Sequence, residues 1–279
     1  MTKCLLKLAL TCLLSAAVLG VAASPVFAQY RPLTPKGTST ATKGENYHAE
    51  FAVNFWGSDP GFFVTANGLG ISGTQIDGQG TLGLMRKELI DFRAVLRPAK
   101  KHKIRFEYLP SEYLSTATLN ATIVFRGQTY PVSAQVDSTL SWKTYRFGYE
   151  YDFVYTPVGY VGVLVEAKVV QARLQIDSAF GSQAAEAQAP IPSIGVTGRG
   201  YIAPGLSITG EYSYFQMPSF IAKNIKGSYT EFDVYATYNI TNNVGAQAGF
   251  RKIDVHVDVD PVFGQSLQSG TYFGGVVRF

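Results

Sequence analysis

The chain has 279 residues and a formal net charge of +4, with 46% of residues hydrophobic, 13% aromatic and only 16% charged. So small a charge excess argues against a nucleic-acid partner. Abundant Gly, Tyr, Phe, Val and Thr favour strands and tight turns over helices. No Gly-Lys-Ser phosphate loop, dinucleotide fingerprint or Cys/His metal spacing occurs, so no cofactor and no metal are expected.

Residues 1–28 carry a short basic start (Lys3, Lys7), an apolar run and small residues up to Ala28. This pattern predicts a secretory signal peptide cut after Ala28; a retained membrane anchor is the alternative. Cys4 and Cys12 both lie within it, and Thr11 is not the small residue that lipidation at Cys12 would need. The exported chain then has no disulfide to hold it. Residues 29–46 are polar and Pro-bearing without periodicity, and are expected to form a flexible periplasmic leader.

From Tyr47 to Phe279 the sequence alternates with period 2, as strands between unlike surroundings do. Tyr47, Ala49, Phe51, Val53 and Phe55 share one face, opposite His48, Glu50, Asn54 and Trp56. A Gly-rich stretch at 57–83 breaks the pattern. Ile90, Phe92, Ala94 and Leu96 resume it, and Ile104, Phe106 and Tyr108 follow the short turn at 98–101. Residues 116–138 read as a long connection holding a small hairpin turned at Arg126-Gly127-Gln128. Tyr145, Phe147, Tyr149, Tyr151 and Phe153 then alternate with Thr144, Arg146, Gly148, Glu150 and Asp152.

Further strands run through Val161–Val169, 194–202, 208–214, 232–240, 244–259 and the C-terminal segment. Short turns fall near 98, 156, 203 and 241; long connections are expected near 58, 116, 177, 217 and 260. In 244–259 the apolar residues move from even positions (Ala246, Ala248, Phe250) to odd ones (Val255, Val257, Val259), and a β-bulge near Lys252 would explain the switch.

About ten strands result, with eight or twelve as alternatives. Each has one aromatic or aliphatic face and one carrying ionisable groups. No apolar run of about 18 residues in the mature chain would form a spanning helix. The all-β reading is therefore an antiparallel transmembrane β-barrel over 47–279, apolar outside and polar inside, rather than a soluble barrel or sandwich. Glu50, Asp91, Arg93, Arg105, Glu107, Arg146, Glu150, Asp152, Glu166, Lys168, Arg199, Glu211, Glu231, Asp233 and Arg251 are expected to face the interior. In a barrel this narrow they would either cross-link a filled core or line a narrow solute path.

Aromatic residues are expected to girdle both interfaces: Tyr47, Phe153, Tyr155, Tyr160, Tyr238 and Phe279 at the periplasmic ends, Trp56, Trp142, Tyr145, Tyr214 and Tyr229 at the outer ends. The Gly-rich first loop and the 116–138 hairpin would offer the largest exposed surfaces, where any extracellular ligand would bind.

With its closing "TYFGGVVRF" the chain resembles the bacterial outer-membrane β-barrel proteins, of the small OmpA/OmpW-like or omptin size. In that class an aromatic residue ending alternating apolar positions is read by the barrel-assembly machinery. Phe273, Val277 and Phe279 match; Thr271 and Gly275 depart from the pattern. The resemblance implies localisation in the outer membrane among its lipids, and does not choose an activity, since the class spans adhesins, channels and enzymes.

The catalytic candidates are Asp254 and His256, in "DVHVDVD" at 254–260 with Asp258 and Asp260 on the same face. An Asp-x-His pair can orient an imidazole as a general base, and it resembles the Asp/His pair of the omptin proteases. The additional Asp pair those enzymes need is missing from the early loops, where Asp59 and Asp77 stand alone. His48 and His102 fall near the periplasmic rim. The expectation is a non-enzymatic barrel with a structural or surface-binding role; a narrow passive channel is the alternative, and an omptin-like hydrolase a distant third.

Overall fold

The structure, a computed structural model, describes residues 42–218, 226–259 and 262–279. The expected signal peptide, most of the leader, part of the 217–227 loop and Asp260 lie outside the described residues. Among the described residues thirteen strands run in chain order: β1 (Ala49–Ala66), β2 (Ile76–Asp77), β3 (Lys87–Ala99), β4 (His102–Thr118), β5 (Ile123–Phe125), β6 (Gln128–Tyr130), β7 (Gln135–Thr156), β8 (Gly159–Ser178), β9 (Gly181–Ala203), β10 (Leu206–Gln216), β11 (Lys226–Asn239), β12 (Val244–Val259) and β13 (Val262–Arg278).

Among the described residues, ten of these (all but β2, β5 and β6) pair antiparallel with their neighbours, and β13 pairs back onto β1 from Glu50↔Arg278 to Ala66↔Val262. Closure satisfies the backbone without an edge at membrane depth. The seam is tight at Gly270. A Cβ there would stand 1.8 Å from the Gly57 carbonyl oxygen, while that of Gly270 accepts the Trp56 indole N–H at 3.1 Å.

The outward side chains of the lower barrel are apolar and exposed: Phe51, Val53 and Phe55 on β1, Phe92 and Leu96 on β3, Phe147 and Phe153 on β7, Val161, Val163 and Val165 on β8, Phe273 and Val277 on β13. The band covers 145–153 on β7 and 161–169 on β8, close to the 9–11 residues a tilted strand needs to cross the hydrocarbon. Tyr108 and Tyr145 stack across strands at 4.8 Å in its upper part.

The strands outrun this band. β9 has 23 residues and β8 has 20. The expected loops near 58 and 177–190 are instead continuations of β1, β8 and β9. β8 and β9 meet at a two-residue turn, Ala179-Phe180, with Ser178 opposite Gly181. Counting from that turn, the N–H groups of even residues in the upper half of β9 point away from β8. That is where Pro190 and Pro192 lie, beyond the reach of β10, which pairs with β9 only from Ile194 on. Prolines are compatible with a strand whose missing N–H would have faced an unpaired edge. The expected long connection near 260 likewise shrinks, because β12 and β13 extend to Val259 and from Val262.

The predicted hairpin forms as β5 and β6, turned at Arg126 (φ 54°) and Gly127 (φ 83°). Both positive φ values suit the type I′ geometry that joins two-residue hairpins.

No bulge occurs near Lys252: β12 keeps one register against both β11 and β13 throughout. Odd residues point inward along the strand, with Arg251, Ile253 and Val255 all buried. What changes is the interior itself, which is ionic around Arg251 and apolar above it.

Candidate functional site: a barrel filled in three layers

At the short-turn end, the periplasmic end in barrels of this kind, residues 42–48 cross the opening as a strap. The Thr42 hydroxyl donates to Pro157 O at 2.9 Å, Lys43 N to Pro204 O at 2.6 Å, and the Asn239 amide to Lys43 O at 2.8 Å. Gly44, at φ +83°, lies against Arg278 and Asn239, where a side chain would collide. Glu45 turns inward and is buried. The last residues of the expected leader are therefore tied to the barrel, by carbonyl groups of two short turns and by the end of β11.

Above the strap lies the ionic layer, and the structure places in it all fifteen ionisable residues expected to face inward, buried or nearly so. Arg146 reaches Glu166 at 2.5 Å, Glu107 at 3.0 Å and Glu231 at 3.4 Å. Arg251 binds Glu231 at 2.6 Å and also Glu107. Lys168 joins Glu231 at 2.9 Å and Glu166 at 3.1 Å and donates to Ser213 at 2.6 Å. On the neighbouring strands β3 and β4, Arg93 holds Asp91 at 2.6 Å and Asp233 at 2.8 Å, and Arg105 holds Glu211 at 2.6 Å and Glu150 at 2.9 Å. Arg199 donates to Thr209 at 2.9 Å.

The expectation omitted Lys103, Arg97, Glu45 and Arg278. Lys103 binds Glu150 at 2.5 Å and Asp152 at 3.0 Å; Arg278 binds Glu50 at 2.5 Å. Lys103 and Arg278 share the phase of their strands' inward residues, so alternation alone marks them.

Desolvated charges persist only where partners replace water, and removal of one partner leaves the others uncompensated. Here each cation meets carboxylates, and several also meet ring faces: Lys103 lies 3.3 Å from the centre of Tyr160, Lys168 4.1 Å from that of Tyr229, Arg251 5.6 Å from that of Trp56. These contacts correct the girdle. Trp56, Tyr229 and Tyr160, on inward phases, and Tyr47, in the strap, are buried inside the barrel, whereas Phe153, Tyr214, Tyr238 and Phe279 are exposed outside. Among these charges lies a cavity of about 30 Å³, lined by Glu50, Arg105, Glu150, Arg199 and Glu211 among others, room for one or two waters.

The third layer is apolar. Segment 67–86 and the β5–β6 hairpin fold into the upper mouth, where Ile76, Leu82, Ile123, Phe125 and Tyr130 pack on Val136, Leu174 and Ile176 of the wall. The two pieces hold each other: Thr74 N donates to Val124 O at 2.8 Å, and Val124 N to Thr74 Oγ1 at 3.0 Å. Burial, with Asp177 nearby, raises the Tyr130 phenol above its usual range, so it stays protonated and donates to Ile176 O at 3.2 Å.

Asp254 and His256 lie outside this interior. Their side chains stand 3.3 Å apart on the outward face of β12, with His256 half exposed. Their cross-strand neighbours are Thr230 and Leu267, and Ser228 and Gln265, so among the described residues no acidic group stands opposite the imidazole on the adjoining strands. Among the described residues no cluster of three or more His, Cys, Asp or Glu is arranged to hold a metal. His102 bonds the Tyr149 hydroxyl at 2.5 Å on the lower outer wall, and His48 N donates to Phe279 O at 2.6 Å. Phe273 and Phe279 point outward against Phe55 (5.5 Å) and Phe51 (6.4 Å), beside exposed Val277.

A family model described as YfaZ precursor matches residues 154–279, from the end of β7 through β13. No curated protein matches the chain in sequence. Among solved structures, the outer membrane protease OmpT of Escherichia coli aligns with TM-score 0.55 and 11% identity over 86% of this chain and all of its own. The attachment invasion locus protein Ail of Yersinia pestis, solved with a heparin analogue, gives 0.37 at 10% identity over 83% of this chain and 99% of its own. The translocator domain of the autotransporter NalP from Neisseria meningitidis gives 0.40 at 10% identity over 83% and 89%. At such identity the OmpT likeness shows fold alone. With the apolar outer band, it makes this chain a ten-stranded β-barrel of the bacterial outer membrane.

Proposed function

We propose that the protein is a closed, non-enzymatic outer-membrane barrel, exported by residues 1–28, whose role is structural or surface-binding through its projecting hairpins. The observation that carries this reading is the filling of the bore by the described residues: strap, ionic layer and apolar plug follow one another, with a water-sized cavity within the ionic layer. Passive transport of a solute would require several of these contacts to break together. The Asp254–His256 pair gives a hydrolase reading little support, because it faces outward on a convex wall rather than into a cleft. Phe273, Val277 and Phe279 fit a role in recognition by the assembly machinery, with their apolar side chains free along the outer wall.

Liposome swelling tests the reading. Vesicles carrying the folded barrel should exclude small sugars and amino acids as well as protein-free vesicles do. Swelling above that background, altered by Arg146→Ala or Glu150→Gln, would overturn it in favour of the channel.

A further inference from the structure

The strap contributes one side chain to the barrel interior with an unusual role. Glu45 enters a basic and aromatic recess at the periplasmic end. Arg97 Nη1 stands 3.5 Å from Glu45 Oε1, Arg199 Nη1 stands 3.6 Å from Oε2, and the Tyr201 hydroxyl donates to Oε2 at 3.1 Å. Glu45 and both arginines are more than nine-tenths buried. The recess walls are rings: the Arg97 guanidinium lies 4.8 Å from the centre of Tyr155 and 5.4 Å from that of Tyr47, and that of Arg199 5.5 Å from the centre of Tyr160.

Well-matched arginine–carboxylate pairs close to about 2.7–2.9 Å, commonly through two parallel bonds. The Glu45 carboxylate reaches neither guanidinium so closely, Arg97 Nη1 donating instead to the Glu45 carbonyl oxygen at 2.7 Å, and Arg199 Nη1 is buried without a hydrogen-bond partner. The other arginines of the layer, Arg93, Arg105, Arg146 and Arg251, each have a carboxylate within 2.6 Å. A carboxylate is thus present in a pocket of suitable charge, held there by the backbone of the strap rather than by a fit to the guanidinium groups.

We propose that Arg97, Arg199 and Tyr201 form a periplasm-facing binding site for a carboxylate, which Glu45 occupies in cis and which a free carboxylate-bearing molecule takes when the strap withdraws. The strap is suited to withdrawal. It joins the barrel through a few hydrogen bonds at strand ends and not through a ladder, and its exposed residues Lys43 and Asn46 already meet solvent. A ligand entering there would gain the unpartnered Arg199 N–H and border the small cavity behind it, which Arg199 and Tyr47 also line.

Chemical rescue tests this with the full barrel refolded in detergent. Glu45→Ala removes the carboxylate while leaving the bonds of Arg97 to the Glu45 and Lys100 carbonyl oxygens and of Arg199 to Thr209 available. Its unfolding midpoint, read by heat-shifted gel mobility, should fall below that of the unsubstituted protein. It should rise again with sodium acetate but not with sodium chloride at equal ionic strength, and the unsubstituted protein should show no acetate response. Arg199→Gln added to Glu45→Ala should abolish the rescue. An acetate-insensitive Glu45→Ala, recovery by chloride as well as acetate, or rescue surviving Arg199→Gln would each overturn the proposal. If Glu45→Ala does not refold unaided, refolding yield becomes the readout. Acetate-specific recovery then supports the site, and equal failure in both salts refutes it.

Discussion

Glu231 is the most connected carboxylate of the interior and gives the sharpest test of the ionic layer. It accepts from Arg251 at 2.6 Å, Lys168 at 2.9 Å, the Tyr229 hydroxyl at 2.8 Å and Arg146 at 3.4 Å. Glu231→Gln keeps the shape but removes the charge, and it turns an amide N–H₂ toward one set of donors. Three buried cations would then share Glu107 and Glu166. Breaking a buried pair from one side costs about 3–5 kcal/mol; because Gln retains one acceptor, the lower end applies, about 3 kcal/mol. With a urea slope of roughly 2 kcal/mol/M, the unfolding midpoint should drop by about 1.5 M. Tryptophan emission in lipid vesicles reads this directly, since Trp56 is buried against Arg251. The exposed Lys252→Gln on the outer face serves as the control and should stay within about 0.5 kcal/mol. A Glu231→Gln midpoint no lower than that of the control would refute the reasoning.

Three further outcomes follow from local geometry. Gly270→Ala should prevent seam closure, because its Cβ would meet the Gly57 carbonyl oxygen at 1.8 Å; loss of heat-shifted mobility checks it. Phe125→Ala removes a ring with no exposed surface from the plug and should cost about 3–5 kcal/mol of local packing. Limited proteolysis within 119–134 should accelerate while the barrel keeps its folded mobility. His256→Ala, on an exposed outer wall, should change stability by less than about 0.5 kcal/mol, and peptide-cleavage assays of the two proteins should match.

The membrane-spanning half was legible because a strand between lipid and a polar core must alternate. Phe147, Tyr149 and Tyr151 against Arg146, Glu150 and Asp152 state both faces at once. Above the membrane that contrast disappears. Residues 57–66 and 177–190 lie between water and a plug, so small and polar residues suit both faces, and the backbone ladder that continues β1, β8 and β9 leaves no periodic trace. The plug was illegible for a related reason. Segment 67–86 is irregular apart from the two residues of β2, and it buries Ile76, Leu82 and Leu84, too few apolar residues to set a period.

On β12 a fixed rule of polar inside and apolar outside implies a bulge, whereas it is the interior that changes character. Arg251, Ile253 and Val255 follow one phase through two environments. The girdle failed at Trp56 and Tyr229 because amphipathic rings suit a desolvated cation as well as an interface. Glu45 was hidden by its setting, a single acid in a polar segment whose partners lie on β3 and β9.

Single-channel recording in a planar bilayer tests the filled bore most directly. The account predicts that barrels verified as folded by heat-shifted mobility stay silent under applied voltage, with no discrete steps. Reproducible steps from the unsubstituted protein, with ion selectivity that changes on Arg146→Ala, would contradict it.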